Sequence, residues 1–201
     1  MKKSLILLPL LAACLVGCGE SSDPTTSTTD PSSTTTEPVP SGEVVYSFAS
    51  LTGKGVVFDT TTALAAFSGG VQSGTDIVSA VSEVSTVYDG SATGGAYENT
   101  AGLIKFGKSA ESGSITLTLS KSISHVVINC FDYYVKTEAY PTASNSVVVN
   151  GVSQTCPYAE TATPADLTFD LATASSTLTI ASANVNAAKG GRFHMFSIKL
   201  S

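Results

Sequence analysis

From Ser114 to Ser120 the chain alternates strictly, with Ile115, Leu117 and Leu119 set between Ser114, Thr116, Thr118 and Ser120. A β-strand sends successive side chains to opposite faces, so this pattern predicts a strand with one buried and one wet face. The same period returns in Leu167-Thr168-Phe169-Asp170-Leu171, at Leu178 and Ile180 within Thr177 to Ala181, and at Phe196, Ile198 and Leu200. Two runs, His125 to Tyr134 and Val147 to Val149, are apolar on both faces and predict strands covered from both sides. Asn150-Gly151 follows the second run; both residues tolerate φ > 0, which marks a two-residue hairpin leading into Val152. Helix signals are confined to Thr61 to Phe67 and Asp76 to Val84, and the Val and Ser content of the second weakens it. These features predict an all-β fold, an antiparallel β-sandwich of jelly-roll type, across residues 44–201.

The chain before that domain has a different grammar. Lys2 and Lys3 precede an apolar segment from Leu5 to Val16, which closes on Leu15-Val16-Gly17-Cys18. A basic start, an apolar core and a small-residue end make a secretory signal, and the segment falls short of the roughly 20 apolar residues of a membrane-spanning helix. Its end resembles the lipobox of bacterial lipoproteins. Leu11-Ala12-Ala13-Cys14 fits the same pattern but would leave apolar Leu15 and Val16 directly after the modified residue, so Cys18 is the expected lipidation site. The resemblance implies a signal peptide over residues 1–17, a diacylglyceryl group on Cys18 and an extracytoplasmic protein attached to a membrane by lipid.

Between Gly19 and Glu43, 17 residues are Ser, Thr or Pro and five are acidic, while Val39 is the sole aliphatic side chain. Such a stretch cannot bury enough apolar surface to offset the entropy of ordering. Residues 18–43 are therefore expected to be a lipidated cysteine followed by a disordered tether, reaching roughly 25 Å as a coil and about 75 Å as polyproline II. Ser/Thr/Pro tracts also accept O-linked sugars, which composition alone does not decide.

The searches for chemistry are largely negative. Gly102-Leu103-Ile104-Lys105-Phe106-Gly107-Lys108-Ser109 matches a phosphate-binding loop letter for letter, but that loop must join a strand to a helix N-terminus, and here the motif reads as strand leading to strand. The sequence contains no nucleophile elbow and no zinc-protease motif, and His125 and His194 read as packed or surface imidazoles, so no catalytic residue and no metal ligand set is expected. A structural calcium held by backbone carbonyls would leave no signature and stays open. Without Lys2 and Lys3 the chain has 8 basic and 16 acidic residues, an excess opposite to that of a nucleic-acid-binding surface unless Lys105, Lys108 and Lys121 gather on one face.

Cys130 and Cys156 have two readings. An exported compartment permits a disulfide between them, worth roughly 3 kcal/mol in the loop-entropy model. Equally, they can be two buried free thiols acting as small apolar residues, and the frequent avoidance of disulfides in Gram-positive lipoproteins tips the expectation slightly that way.

Several segments carry a wider resemblance: Gly102 to Gly107, Gly113 to Leu119, Tyr133-Tyr134, Tyr140-Pro141-Thr142, Ser144-Asn145-Ser146, Val149-Asn150-Gly151, Leu167 to Leu171, and Arg192-Phe193 with Ser197-Ile198. Together, over roughly residues 85–201, they resemble an uncharacterised module of secreted and lipid-anchored proteins of Gram-positive bacteria and mollicutes. That module is similar in shape to galactose-binding-like sandwiches. It often sits beside immunoglobulin-like repeats or a secreted nuclease, neither of which is expected from the residues read above. Strand and turn residues carry the resemblance, so it implies a fold more than an activity.

Tyr133, Tyr134, Tyr140 and Tyr158 fall in one region with Asp132, Asn145 and Asn150. Tyrosine faces beside amide and carboxylate groups suit sugar recognition, although the same tyrosines are ordinary strand residues and the chain has no Trp. Arg192, the sole arginine, can orient a carboxylate ligand or pair with an Asp or Glu at the core edge. The expected ligand-binding set is thus Tyr133, Tyr134, Tyr140, Asp132, Asn145 and Arg192. The favoured function is a surface-displayed module binding glycan or cell-wall polysaccharide. The alternatives are a structural or interaction lipoprotein without a small ligand and, third, a secreted hydrolase accessory or an enzyme, the last of which would need a cleft with convergent carboxylates such as Asp132, Glu138 and Glu160.

Overall fold

The computed structural model describes residues 44–68, 77–82, 86–91, 97–108, 110–133, 145–158, 163–184 and 191–201. The expected leader, Cys18 and tether lie outside these residues, as do Tyr134, Tyr140, Glu138 and Glu160. The described chain opens with β1 (Val44–Ser47), β2 (Val56–Val57), helix α1 (Thr60–Ser68) and β3 (Ile77–Ser82). It continues through β4 (Val87–Asp89), β5 (Ile104–Phe106), the long β6 (Ser114–Asp132), β7 (Asn145–Val149) and β8 (Val152–Thr155). It ends in the long β9 (Ala165–Asn184) and β10 (Phe193–Leu200). Every pairing between named strands is antiparallel.

Strands β6 and β9 form the spine, and each unites two segments that read separately in the sequence. They pair from Ser114↔Ala181 to Cys130↔Ala165, with the register broken between Thr118, Ile123 and His125. Across that break the buried positions of β6 change parity, from Ile115, Leu117 and Leu119 to Val126, Ile128 and Cys130. Strand β9 makes the same change, from Phe169 to Leu178 and Ile180. Irregular register lets a strand bend and present a different set of residues to the core, which is how a strand can pass from one half of a sandwich to the other.

One half places β3 and β7 beside these strands, with β8 at the edge; the other adds β10, then β5, β4 and β2, with β1 also on β10. Apolar side chains from both halves join one core, including Phe48, Phe67, Phe106, Ile115, Val126, Phe169 and Leu178. The chain is thus the expected all-β, antiparallel sandwich. Asn150-Gly151 turns the β7–β8 hairpin as expected, at φ 44° and 85°, with Val149 opposite Val152.

Local chemistry settles the two helix signals. Asp59 caps α1: its Oδ1 accepts the backbone N–H and the hydroxyl of Thr62, both at 2.7 Å, and these bonds hold the Asp59 carboxyl below its usual pKa. Ala63, Ala66 and Phe67 then turn into the core. The second signal, Asp76 to Val84, resolves as strand: Ile77–Ser82 pairs with β6 from Leu119 to Ile115, in keeping with its β-branched and Ser content.

One expectation about β10 is corrected. Its core-facing residues are Phe193, Met195, Ile198 and Leu200, whereas Phe196 is only half-buried. The cause is a bulge: Met195 pairs with Cys130 and Ser197 with Asn129, which leaves Phe196 as the extra residue. Its ring lies 4.9 Å from that of Tyr97, on the face opposite the core.

Candidate functional site

The outer face of the half built on β10 carries the candidate site. Directly paired residues on neighbouring antiparallel strands point to the same side, with Cβ atoms about 5 Å apart. Tyr88 of β4 pairs with Lys105 of β5, Lys105 with His194 of β10, and His194 with Phe131 of β6. These four make one row across four strands. The next row, Val87, Phe106, Phe193 and Asp132, faces the other way, where the rings of Phe106 and Phe193 stack at 4.6 Å.

Tyr133 and Arg192 complete the cluster from the ends of β6 and β10. Arg192 Cζ lies 4.3 Å from the centroid of the Tyr133 ring, and Lys105 Nζ lies 5.3 Å from the same centroid. Lys105 Nζ also stands 4.5 Å from the centroid of Tyr88. Two cations therefore share one tyrosine ring; the ring quadrupole attracts each of them, while the two charges repel each other. The ion pairs among the described residues are Lys108–Glu111 and His125–Asp170, and neither includes Lys105 or Arg192. Burial, aided by repulsion from Arg192, lowers the Lys105 pKa to about 8.

His194 is completely buried, and neither ring nitrogen has a hydrogen-bond partner. Its ring packs 5.3 Å from Tyr97 and 5.4 Å from Tyr133. Burial first, then the positive charges of Lys105 and Arg192, push its pKa down to about 3, so the imidazole is neutral at ordinary pH.

A polar brace holds Arg192 in place. Asn145 Oδ1 accepts the backbone N–H of Arg192 at 2.9 Å and the Nδ2 of Asn184 at 3.1 Å, while Asn145 Nδ2 donates to the Asp132 carboxylate. Beside it, the Ser182 hydroxyl donates to the Gly191 carbonyl at 2.7 Å and accepts the Gly113 N–H at 2.8 Å. Gly191 tolerates no side chain there, since a Cβ would fall 2.3 Å from the backbone of Ala183.

The expected ligand residues thus divide. Tyr133 and Arg192 come together, although Tyr133 is only 8% exposed because the two cations and His194 cover it. Asp132 and Asn145 are buried and bonded to each other in the framework behind the site. The Arg192 guanidinium rests on the Tyr133 ring, and neither ion pair among the described residues joins it to an Asp or Glu at the core edge. Lys105, Tyr88 and His194 were not singled out in the sequence as ligand-binding residues. The available signal was weak: a cation between Ile104 and Phe106, and an imidazole between Phe193 and Met195, each a lone polar residue in an otherwise apolar strand.

Other features are accounted for without a ligand. The phosphate-loop match lies on β5, and the residues after Lys108 lead into β6 with no helix among 110–113. The thiols of Cys130 and Cys156 are buried and not joined by a disulfide; Cys156 Sγ donates to Cys130 Sγ at 4.0 Å, and burial first, then this bond, pushes the Cys156 pKa far up. An open groove of about 400 Å³ lies between the β7–β8 turn and the bend of β9, lined mainly by small side chains such as Ala172, Thr173 and Ala174. Among the described residues, no group of three or more His, Cys, Asp or Glu could hold a metal ion, and no helix is long and apolar enough to cross a membrane.

No family profile and no curated protein matches the chain. Among solved structures, it is similar to a low-affinity xylan-binding module, CBM86, from the gut symbiont Roseburia intestinalis. That match has 16% identity and a TM-score of 0.31, and it covers 55% of this chain and 86% of the other. A likeness of this extent leaves the reading of the site to the chain's own residues.

Proposed function

We propose that the chain is a lipid-anchored surface protein whose sandwich binds glycan without transforming it. The observation that carries the reading is the cluster on the outer face, where Lys105 and Arg192 share the Tyr133 ring beside Tyr88 and His194. Aromatic bodies beside convergent polar groups suit the alternating apolar and hydroxylated faces of a sugar. Cys18 supplies the anchor, and residues 19–43 carry the sandwich away from the lipid surface.

The test is a binding screen of the purified full chain against insoluble cell-wall and plant polysaccharides. Saturable retention on at least one polymer, lost in Arg192→Ala, supports the reading; no retention on any of them sinks it. The anchor is tested separately, by membrane fractionation of the Cys18→Ala variant, which should release the protein from the membrane. A structural lipoprotein without a ligand is the second reading, and the observation favouring it is the 8% exposure of Tyr133.

A further inference from the structure

We propose that the ligand of the Lys105–Arg192 cluster carries carboxylates, so that the polysaccharide recognised is a uronate-bearing one. The inference deepens the glycan reading and rests on it.

The first ground is charge. Lys105 from the middle of β5 and Arg192 from the start of β10 converge on Tyr133, and the charged neighbour that acts on Lys105 is Arg192 itself. Placing two like charges around one ring is unfavourable, and a structural role would call for a carboxylate between them. Acid is not scarce in this domain, which has 11 acidic and 8 basic residues from position 44 onward. The two nearest acids along the chain are instead turned away by strand alternation. Asp89, next to Tyr88, is bonded by the Thr52 and Gly53 amides at 3.1 and 2.7 Å, and Asp132, next to Tyr133, by Asn145. The fold thus gathers the rings and cations on one face and ties the carboxylates into the opposite one.

The second ground is independent of charge. His194 is wholly buried in the same cross-strand row as Lys105, yet both of its ring nitrogens lack a partner. Buried polar atoms are nearly always satisfied, and an unsatisfied pair beside uncompensated cations marks a place where a polar group belongs. A sugar acid supplies the missing polar group as an anion, with carboxylate oxygens for the guanidinium edge and the ammonium. A planar carboxylate matches the forked guanidinium in two parallel hydrogen bonds, while Lys105 adds a point charge.

The experiment measures binding of the purified full chain to polygalacturonate, to the same polymer with its carboxyls methyl-esterified, to neutral xylan and to polyphosphate. The expected result is binding to polygalacturonate at least tenfold tighter than to the ester, weakening with added salt. Arg192→Gln and Lys105→Gln should each lose on the order of tenfold or more, as for one charged hydrogen bond. Their melting temperatures are measured alongside. Arg192→Lys, which keeps the charge but not the fork, should be intermediate and provides the reading if either Gln variant fails to fold. Equal binding to acid and ester overturns the proposal and leaves the glycan reading standing. Retention of polyphosphate with no retention of polygalacturonate overturns it in favour of a phosphate polymer. Absence of binding to every polymer removes the glycan reading and this proposal together.

Discussion

The side chain of Asn145, on β7, accepts the backbone N–H of Arg192 at 2.9 Å, so the position of the site's guanidinium is set from a strand in the other half of the sandwich. The same amide donates to the buried Asp132 carboxylate. Asn145→Ala should therefore cost about 2–4 kcal/mol, because Arg192 N–H and Asp132 both lose a partner in a buried setting. Urea unfolding measures this; a change under 0.5 kcal/mol would show that the brace carries no load.

Acid should destabilise the protein through His194. Its pKa is about 3 in the folded chain against a usual 6.5, so the unfolded chain binds the extra proton between those values. Stability is complete above pH 6.5 and falls as pH drops toward 3, by up to about 1.4 kcal/mol per pH unit. His194→Phe should flatten that part of the profile in thermal melts taken across the range, while the wild-type curve keeps its slope.

Base acts in the opposite direction through Lys105. Its folded pKa of about 8, against 10.5, means that the cost of the buried ammonium is present below pH 8 and disappears as pH rises toward 10.5. The groups facing it are Arg192, Tyr88 from β4, His194 from β10 and Tyr133 after β6. Between pH 8 and 10 the wild type should thus gain stability relative to Lys105→Met, while any anion affinity declines as the ammonium is lost. Calorimetry read against an anion titration at the same pH values tests both parts.

Steric limits give a sharper contrast. A Cβ on Gly107, at φ 77°, would sit 1.8 Å from the Gly191 carbonyl oxygen, whereas one on Gly151, at φ 85°, meets nothing within 4 Å. Gly151→Ala should cost about 1–2 kcal/mol, from backbone conformation alone. Gly107→Ala should cost more than 3 kcal/mol or abolish folding, because backbone must also move. Equal melting temperatures for the two variants would contradict the close packing beneath Arg192.

Cys130 and Cys156 should resist thiol reagents in the native chain and react once urea unfolds it, since both are buried and the Cys156 thiolate is disfavoured. Labelling followed by mass spectrometry of the Cys130 and Cys156 peptides reads this directly. A species two mass units lighter, without label, would establish a disulfide instead.

The strands were legible because alternation is local: Ser114 to Ser120 and Leu167 to Leu171 state their own faces. The bends were not, because Ser114 to Ser120 and His125 to Tyr134 read as two strands, as do Leu167 to Leu171 and Thr177 to Ala181, and it is pairing between β6 and β9 that carries each through as one element. Phe196 was assigned to the core because a bulge has no sequence mark. The site was half legible for the same reason. Tyr133 and Arg192 stand out by residue type, but Lys105 and His194 acquire their meaning from register, which sets residues 89 positions apart side by side.

The pairing of β1 with β10 also fixes how the molecule would bear load. Val44, where the described chain begins, lies opposite Leu200, while Arg192 and His194 sit at the other end of β10, about 25 Å away at strand rise. Tension between a tether entering at Val44 and a polymer held at Arg192 would run along β10 and pull β1 lengthwise past it. That is a shearing geometry, in which the hydrogen bonds of Val44–Ser47 resist together instead of opening one after another, so the β1–β10 join would be one of the stiffer parts of the module.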